Sequence, residues 1–185
     1  MEKWISILKE NHIIEIQDIP HIDLYMDQVT TFMEDSLFCY KRTPDSKILT
    51  KTMINNYTKA KIFPPPIKKK YGRTHMMLLI MIFHLKSILS LKDIGTLFAP
   101  ILSAPSPIEM EQQTEKIYTG FISLQKSILE NLKHPESNKE LSPDEEMFSH
   151  YDEKITSVLM ILWPAIRAGI EKQMAEQLLD KFFSV

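Results

Sequence analysis

The chain has 185 residues, 44% of them hydrophobic and 25% charged, enough to bury a core and ordinary for a globular protein. Four glycines and eleven prolines point to helices cut by prolines rather than a turn-rich β fold, and the single cysteine, Cys39, excludes an intrachain disulfide and a thiolate metal cluster. The net charge of −2 hides a segregation: Lys41 to Lys92 carries twelve basic residues and one acid, Asp45, whereas the remainder carries ten basic and twenty-three acidic ones, so that +11 and −13 make up the total. A basic stretch of that density in an acidic chain is the electrostatic footprint of a phosphate-rich partner.

Residues 1–22 are isoleucine-rich without regular spacing. Trp4, Ile5 and Leu8 fit an amphipathic turn, and the stretch reads as a strap on the domain behind it. Met1-Glu2-Lys3-Trp4 lacks the basic region and long apolar run of a secretory leader. The longest apolar run, Met76 to Phe83, has eight residues, against about 20 for a membrane span. A cytoplasmic chain without membrane contact is expected.

Asp23 is placed to cap a helix to about Tyr40, with Leu24, Val29, Phe32, Met33 and Leu37 at helical spacing. Lys41 to Leu49 contains Thr-Pro-Asp-Ser and reads as a loop. Thr50 suits the N-cap of a short helix to Ala60, and Pro64-Pro65-Pro66 forbids its continuation. Thr74 is placed to cap an almost wholly apolar helix to Leu89, which belongs in the middle of a fold. Ser90 caps the next, from Leu91 to about Phe98, ended by Pro100.

Ser103 to Pro107 reads as a hinge, dividing the chain into residues 1–102 and 103–185. Ser106-Pro107-Ile108-Glu109 matches a capping box with proline at the first helical position, opening a helix to about Lys133 with a seam of Met110, Ile117, Phe121, Leu124, Ile128 and Leu132. His134 to Leu141 is a polar loop. Ser142-Pro143-Asp144-Glu145 repeats the capping signature before a last helix with Phe148, Tyr151, Ile155, Leu159, Leu162, Ile166, Ile170, Met174, Leu178 and Phe182 at helical spacing and a kink at Pro164. The fold class expected is all-α.

One face of the 50–60 helix carries Met53, Ile54 and Tyr57; the opposite face carries Lys51, Thr52, Asn55, Asn56 and Lys59. Asparagine pairs bidentately with adenine in the major groove and lysine reaches guanine or phosphate, so this is the face a recognition helix needs. Lys68-Lys69-Lys70-Tyr71-Gly72-Arg73 follows the proline run, with four cations and one aromatic in six residues, a composition suited to a phosphate backbone. No Gly-rich phosphate loop or nucleophile–base order is present. His75 and His84 edge an apolar helix, and Glu146 and His150 have a spacing that arises by chance in acidic helices. No enzyme, metal or cofactor is expected.

Thr50 to Phe98 resembles the DNA-binding head of MerR-type winged-helix regulators. Ile62-Phe63-Pro64-Pro65 matches the exit of the recognition helix, Lys69-Lys70-Tyr71 the end of the wing, and Ser90-Leu91-Lys92-Asp93-Ile94 the last helix motif. Asn55-Asn56-Tyr57 stands where that family has Arg-Tyr-Tyr, and Lys61 where it has glycine. A closer resemblance, carried by Ile19 to Val29, Leu49 to Lys59 and Pro65 to Tyr71, is to an uncharacterised bacterial family, domain of unknown function 1836. It implies no established activity.

The resulting expectation is a MerR-like winged helix-turn-helix regulator that binds duplex DNA as a homodimer. Lys51, Thr52, Asn55 and Asn56 would read base edges, Lys68, Lys69, Lys70 and Arg73 would hold phosphates, and Lys59 and Tyr71 complete the DNA-binding set. Residues 106–185 would pair two chains, with Ser106 to Lys133 as the candidate seam. A small-molecule effector is a further candidate partner, with a site between the C-terminal helices near Phe148, Tyr151 and Trp163. The competing expectation is a non-enzymatic adaptor whose basic half docks on acidic protein surface, its own C-terminal half included.

Overall fold

The computed structural model describes residues 12–133 and 145–183. Trp4, Ile5 and Leu8, the loop from His134 to Leu141, and the capping residues Ser142, Pro143 and Asp144 lie outside them. The described chain is mostly helical. In order it forms β1 (Leu24–Tyr25), α1 (Met26–Ser36), α2 (Lys51–Lys59), β2 (Lys70–Tyr71), α3 (Arg73–Leu85), α4 (Leu91–Leu102), α5 (Pro107–Lys133), α6 (Glu145–Phe148) and α7 (Glu153–Phe183). None of the described helices is long and apolar enough to cross a membrane.

Helix α3 lies at the centre. Met76 through Ile82 are all buried, so it is apolar on every side, as its sequence requires. Helix α5 packs against α3, α4 and α7, and α7 also touches α3. The buried side chains form one cluster from Ile14 to Ile170, so the Ser103–Pro107 hinge joins two helices that share a core. Gly120 lets α5 and α7 approach closely: a Cβ there would lie 2.5 Å from Leu159 Cδ2.

Residues 12–16 form the strap, held by side chains rather than by a sheet. Tyr40 Oη donates to the His12 carbonyl (2.9 Å), Tyr118 Oη to that of Ile14 (2.8 Å) and Arg73 Nη2 to that of Ile16 (2.6 Å). Ile14 and Ile19 are buried beneath it. Three alternate carbonyls satisfied by three distant side chains account for backbone polar groups that have no ladder partner.

Three helix starts follow the sequence. Thr50 Oγ1 accepts from the Met53 amide (3.2 Å) and Ser90 Oγ from that of Asp93 (3.1 Å). Ser106 Oγ accepts from the Glu109 amide and bonds its carboxylate, both at 3.2 Å. Elsewhere the boundaries differ. Helix α1 starts three residues after Asp23 because Leu24 and Tyr25 are drawn into an antiparallel pair with Tyr71 and Lys70; the Gln28 side chain then accepts from the Tyr25 amide (2.9 Å). Helix α3 starts at Arg73, before Thr74, because the His75 ring accepts from the Gly72 amide (3.2 Å), and it ends at Leu85 rather than Leu89. Helix α4 runs past Pro100 to Leu102. Proline removes one amide donor, but burial of Phe98 and Ile101 holds the last turn. The C-terminal helix is broken at Ser149–Asp152, where Asp152 caps α7 through the Ile155 amide (2.9 Å).

Candidate nucleic-acid interface

Helix α2 buries Ile54 and Tyr57 and half-buries Met53, which leaves Lys51, Thr52, Asn55, Asn56 and Lys59 exposed together on the other face. Lys51 pairs with Asp27 of α1, but both side chains are solvated, so the pair contributes little and is readily exchanged. The helix ends in a Schellman motif. The Ile62 amide reaches the Tyr57 carbonyl (3.1 Å) and the Lys61 amide that of Thr58 (3.0 Å), while Lys61 takes the left-handed conformation at φ 58°. Glycine is the usual residue there. Ile62 then packs against Gly95, where a Cβ would lie 2.7 Å from Ile62 Cγ2.

After the proline run, the Ile67 and Lys70 backbones exchange hydrogen bonds of 3.0 and 2.9 Å around a two-residue turn. Lys68 (φ 51°) and Lys69 (φ 65°) both sit in the left-handed region, as a type I′ turn demands, where Asn-Gly is the favoured pair. Both lysines are exposed. Lys70 is half-buried, its ammonium 5.2 Å from the centroid of the Tyr25 ring.

Tyr71 and Arg73 fall elsewhere. Tyr71 is buried, stacked on Phe63 at 6.2 Å and edge-on to His75 at 5.4 Å. Arg73 holds the strap, and its Nε is buried without a partner. His75 closes the hairpin's base. With Nδ1 accepting from Gly72, Nε2 carries the proton and donates to the Pro65 carbonyl (3.1 Å). Burial lowers its pKa, against the Pro65 bond and Asp23, which favours this neutral form.

The other cations of the basic segment divide sharply. Lys41 pairs with Glu34 and holds that carboxyl below its usual range. Arg42 grips Asp180 through two bonds of 2.9 and 3.0 Å. Lys86 is largely buried, donates to the Ile48 carbonyl (3.0 Å) and has a lowered pKa for that burial. By contrast, Lys59, Lys61, Lys68, Lys69, Lys70 and Lys92 make no ion pair with any described residue. Lys61 and Lys92 line one shallow groove with Ala60, Leu91 and Gly95, at the start of α4. Sequence reasoning passed over both lysines; their place inside the +11 segment was the available signal.

A cavity of about 200 Å³ lies between α3 and α7, bordered by Tyr40, Phe83, His84, Ile170 and Glu176. Phe148, Tyr151 and Trp163, around which an effector site is expected, are partly buried and pack against the core.

The sequence profile of a family described as a domain of unknown function, DUF1836, matches residues 14–121. The chain belongs to this family. The match begins at the strap residue Ile14 and ends at Phe121 in α5, so the family's shared unit takes in the hairpin, α1 to α4 and the half of α5 that packs on them. No curated protein and no solved structure matches the chain.

Proposed function

We infer that this member of the family is a DNA-binding regulator with a MerR-like winged head, acting as a dimer on a two-fold site. In this reading α1 and α2 are the helix-turn-helix and the Lys68–Lys69 turn is the tip of the wing. The observation that carries it is the identity of the strained residues. Among the described residues every non-glycine position with positive φ is a lysine of the basic segment: Lys61, Lys68 and Lys69. A non-glycine residue in the left-handed region costs on the order of 1 kcal/mol, and strain of this kind persists where a side chain is needed for function. Among the described residues none of the three cations has a carboxylate partner, which leaves them open to phosphate.

Lys68, Lys69, Lys59, Lys61 and Lys92 then hold phosphates, while Asn55, Asn56 and Thr52 face base edges. Tyr71 and Arg73 support the wing from inside. The test is fluorescence anisotropy of the full chain on duplex DNA across a salt series. The double change Lys68→Glu, Lys69→Glu should weaken binding to every sequence and flatten the plot of log affinity against log salt by about 2 units. Asn55→Ala should instead alter preference between sequences. A folded chain that binds no duplex even at low salt overturns the reading.

One observation favours the adaptor reading: Arg42 of the basic segment already clasps Asp180 and Glu176 of α7. That reading predicts that removing the two acids frees the basic face for an acidic protein and leaves DNA binding absent.

A further inference from the structure

His84 is an imidazole set among aromatic rings with nothing to bond. Tyr40, Phe83 and Phe121 surround it at centroid distances of 4.8, 5.4 and 5.5 Å. Its carbonyl accepts from Ser87 Oγ (3.3 Å), but neither ring nitrogen has a hydrogen-bond partner among the described residues. His75, at the other end of α3, has both of its nitrogens satisfied, at 3.2 and 3.1 Å. Among the described residues the one sealed side-chain polar atom without a partner is Arg73 Nε, so the His84 nitrogens remain within reach from outside. The ring lines the cavity of about 200 Å³ between α3 and α7, and its unpaired edge opens there. Polar groups this far from bulk water are normally partnered.

The walls set the size and shape of an occupant. Tyr40 and Phe83 supply aromatic surface, Ile166 and Ile170 aliphatic surface, and Gly169 bare backbone. A Cβ at Gly169 would meet nothing nearer than 3.8 Å, so glycine keeps that side open. A cavity of about 150 Å³ takes up benzene, and this one has room for a single ring with one substituent. The charged groups at its mouth already have partners in the chain. Lys86 Nζ donates to the Ile48 carbonyl (3.0 Å), and Lys172 lies 3.3 Å from Glu176, which also faces Arg42 at 3.6 Å.

We propose that this cavity binds an uncharged single-ring arene bearing a hydroxyl, with its ring between Tyr40, Phe83 and Ile170 and its hydroxyl on His84. Burial lowers the His84 pKa to about 4, so at neutral pH the ring offers one N–H and one bare nitrogen. A hydroxyl both donates and accepts, and therefore satisfies whichever nitrogen faces it. A carboxylate would serve only the N–H and would bring an unpaired charge beside Glu176. A plain hydrocarbon would leave both nitrogens unpaired in a drier site. Tyr40 belongs to the segment between α1 and α2, so an occupant touches that segment, α3 and α7 together.

The test is titration of the full chain with phenol, toluene and benzoate at pH 7.5. Proton NMR follows the His84 Cε1–H signal, identified by its loss in His84→Leu, and calorimetry gives the affinities. Phenol should shift that signal saturably, and benzoate should bind more weakly than phenol. His84→Leu should lower the ratio of phenol to toluene affinity by roughly tenfold, the effect of one hydrogen bond. Gly169→Leu should abolish binding of both, because its side chain enters the cavity; leucine favours a helix over glycine, so the fold is kept. Four results would each overturn the proposal: no saturable shift with phenol, an unchanged ratio in His84→Leu, undiminished phenol binding in Gly169→Leu, or benzoate bound more tightly than phenol. Phenol binding that appears only in Trp4→Ala would also overturn it, by assigning the cavity to the chain's own N-terminal residues. Binding is read without DNA, so the DNA reading stands or falls separately.

Discussion

His84 makes stability depend on pH in a predictable direction. Its ring is enclosed by Tyr40 (4.8 Å), Phe83 (5.4 Å) and Phe121 (5.5 Å), and burial lowers its pKa from 6.5 to about 4. The folded state therefore keeps the imidazole neutral over a range in which the unfolded chain protonates it. Folding stability is whole above the unfolded value of 6.5 and declines as pH falls from 6.5 towards 4. Between pH 7.5 and 5.0 the loss from this residue is about 2 kcal/mol. His75, also lowered by burial, adds in the same direction. The lowered carboxyls of Glu34 and Asp180 act in a separate window: they stabilise above their unfolded values of 4.5 and 3.8 and lose that contribution below them. Urea unfolding at pH 7.5 and 5.0, on the parent chain and on His84→Leu, isolates the effect. The variant should lose about 2 kcal/mol less than the parent on acidification. Equal losses in the two proteins would refute the reasoning.

Four further changes test the packing and the backbone. Gly120→Ala drives a methyl into Leu159 at the α5–α7 crossing and should destabilise by about 1–3 kcal/mol in denaturant unfolding, whereas the same change at Gly169, whose Cβ would meet nothing nearer than 3.8 Å, should be nearly neutral. Lys61→Gly relieves a left-handed lysine and should stabilise by roughly 0.5 kcal/mol in the same assay after the added freedom of the unfolded glycine, while lowering the salt slope of DNA binding by about 1. Tyr118→Phe strands the Ile14 carbonyl and should cost about 1–2 kcal/mol, with faster hydrogen exchange along residues 12–19 as the local signature.

Helix starts were legible where a side chain close in sequence supplies the cap. Thr50, Ser90 and Ser106 each satisfy an amide three residues on, a local event that local sequence encodes. Boundaries set by distant partners were not. Leu24 and Tyr25 become a strand because Tyr71 and Lys70 lie alongside, across a separation no spacing pattern spans. The same distance hid the role of Tyr71, whose ring is engaged by Phe63 and His75, and that of Arg73, which reaches back to Ile16. The exposed face of α2 was legible in full, since Lys51, Thr52, Asn55, Asn56 and Lys59 follow from helical geometry alone once Ile54 and Tyr57 point inward. The end of α7 was not: Phe182 continues the spacing of Ile155 to Ile170 yet is 60% exposed, because the helix runs on past the elements that cover its inner side.

The charge segregation acquires its meaning only after the cations are sorted by what they touch. Lys41, Arg42, Arg73 and Lys86 have partners within the chain and pin the loop after α1, the strap and the flank of α3, while Lys51 has a solvated, readily exchanged pair with Asp27. Lys47 acts on the Glu34 carboxyl, and what remains is a smaller set at helix ends and a turn tip: Lys59, Lys61, Lys68, Lys69, Lys70 and Lys92. Three of these hold backbone conformations that lysine disfavours. Selection for a stable turn would place Asn-Gly at 68–69 and glycine at 61. On the DNA-binding reading, selection for charge at those points would keep lysine and accept the strain. The converse substitution decides between them: Lys68→Asn with Lys69→Gly keeps the hairpin, relaxes both backbones and removes both charges. A chain that becomes more stable while losing DNA affinity at low salt would show that the lysines are there for a phosphate partner. One that becomes more stable and binds DNA unchanged would move the search for that partner away from the hairpin.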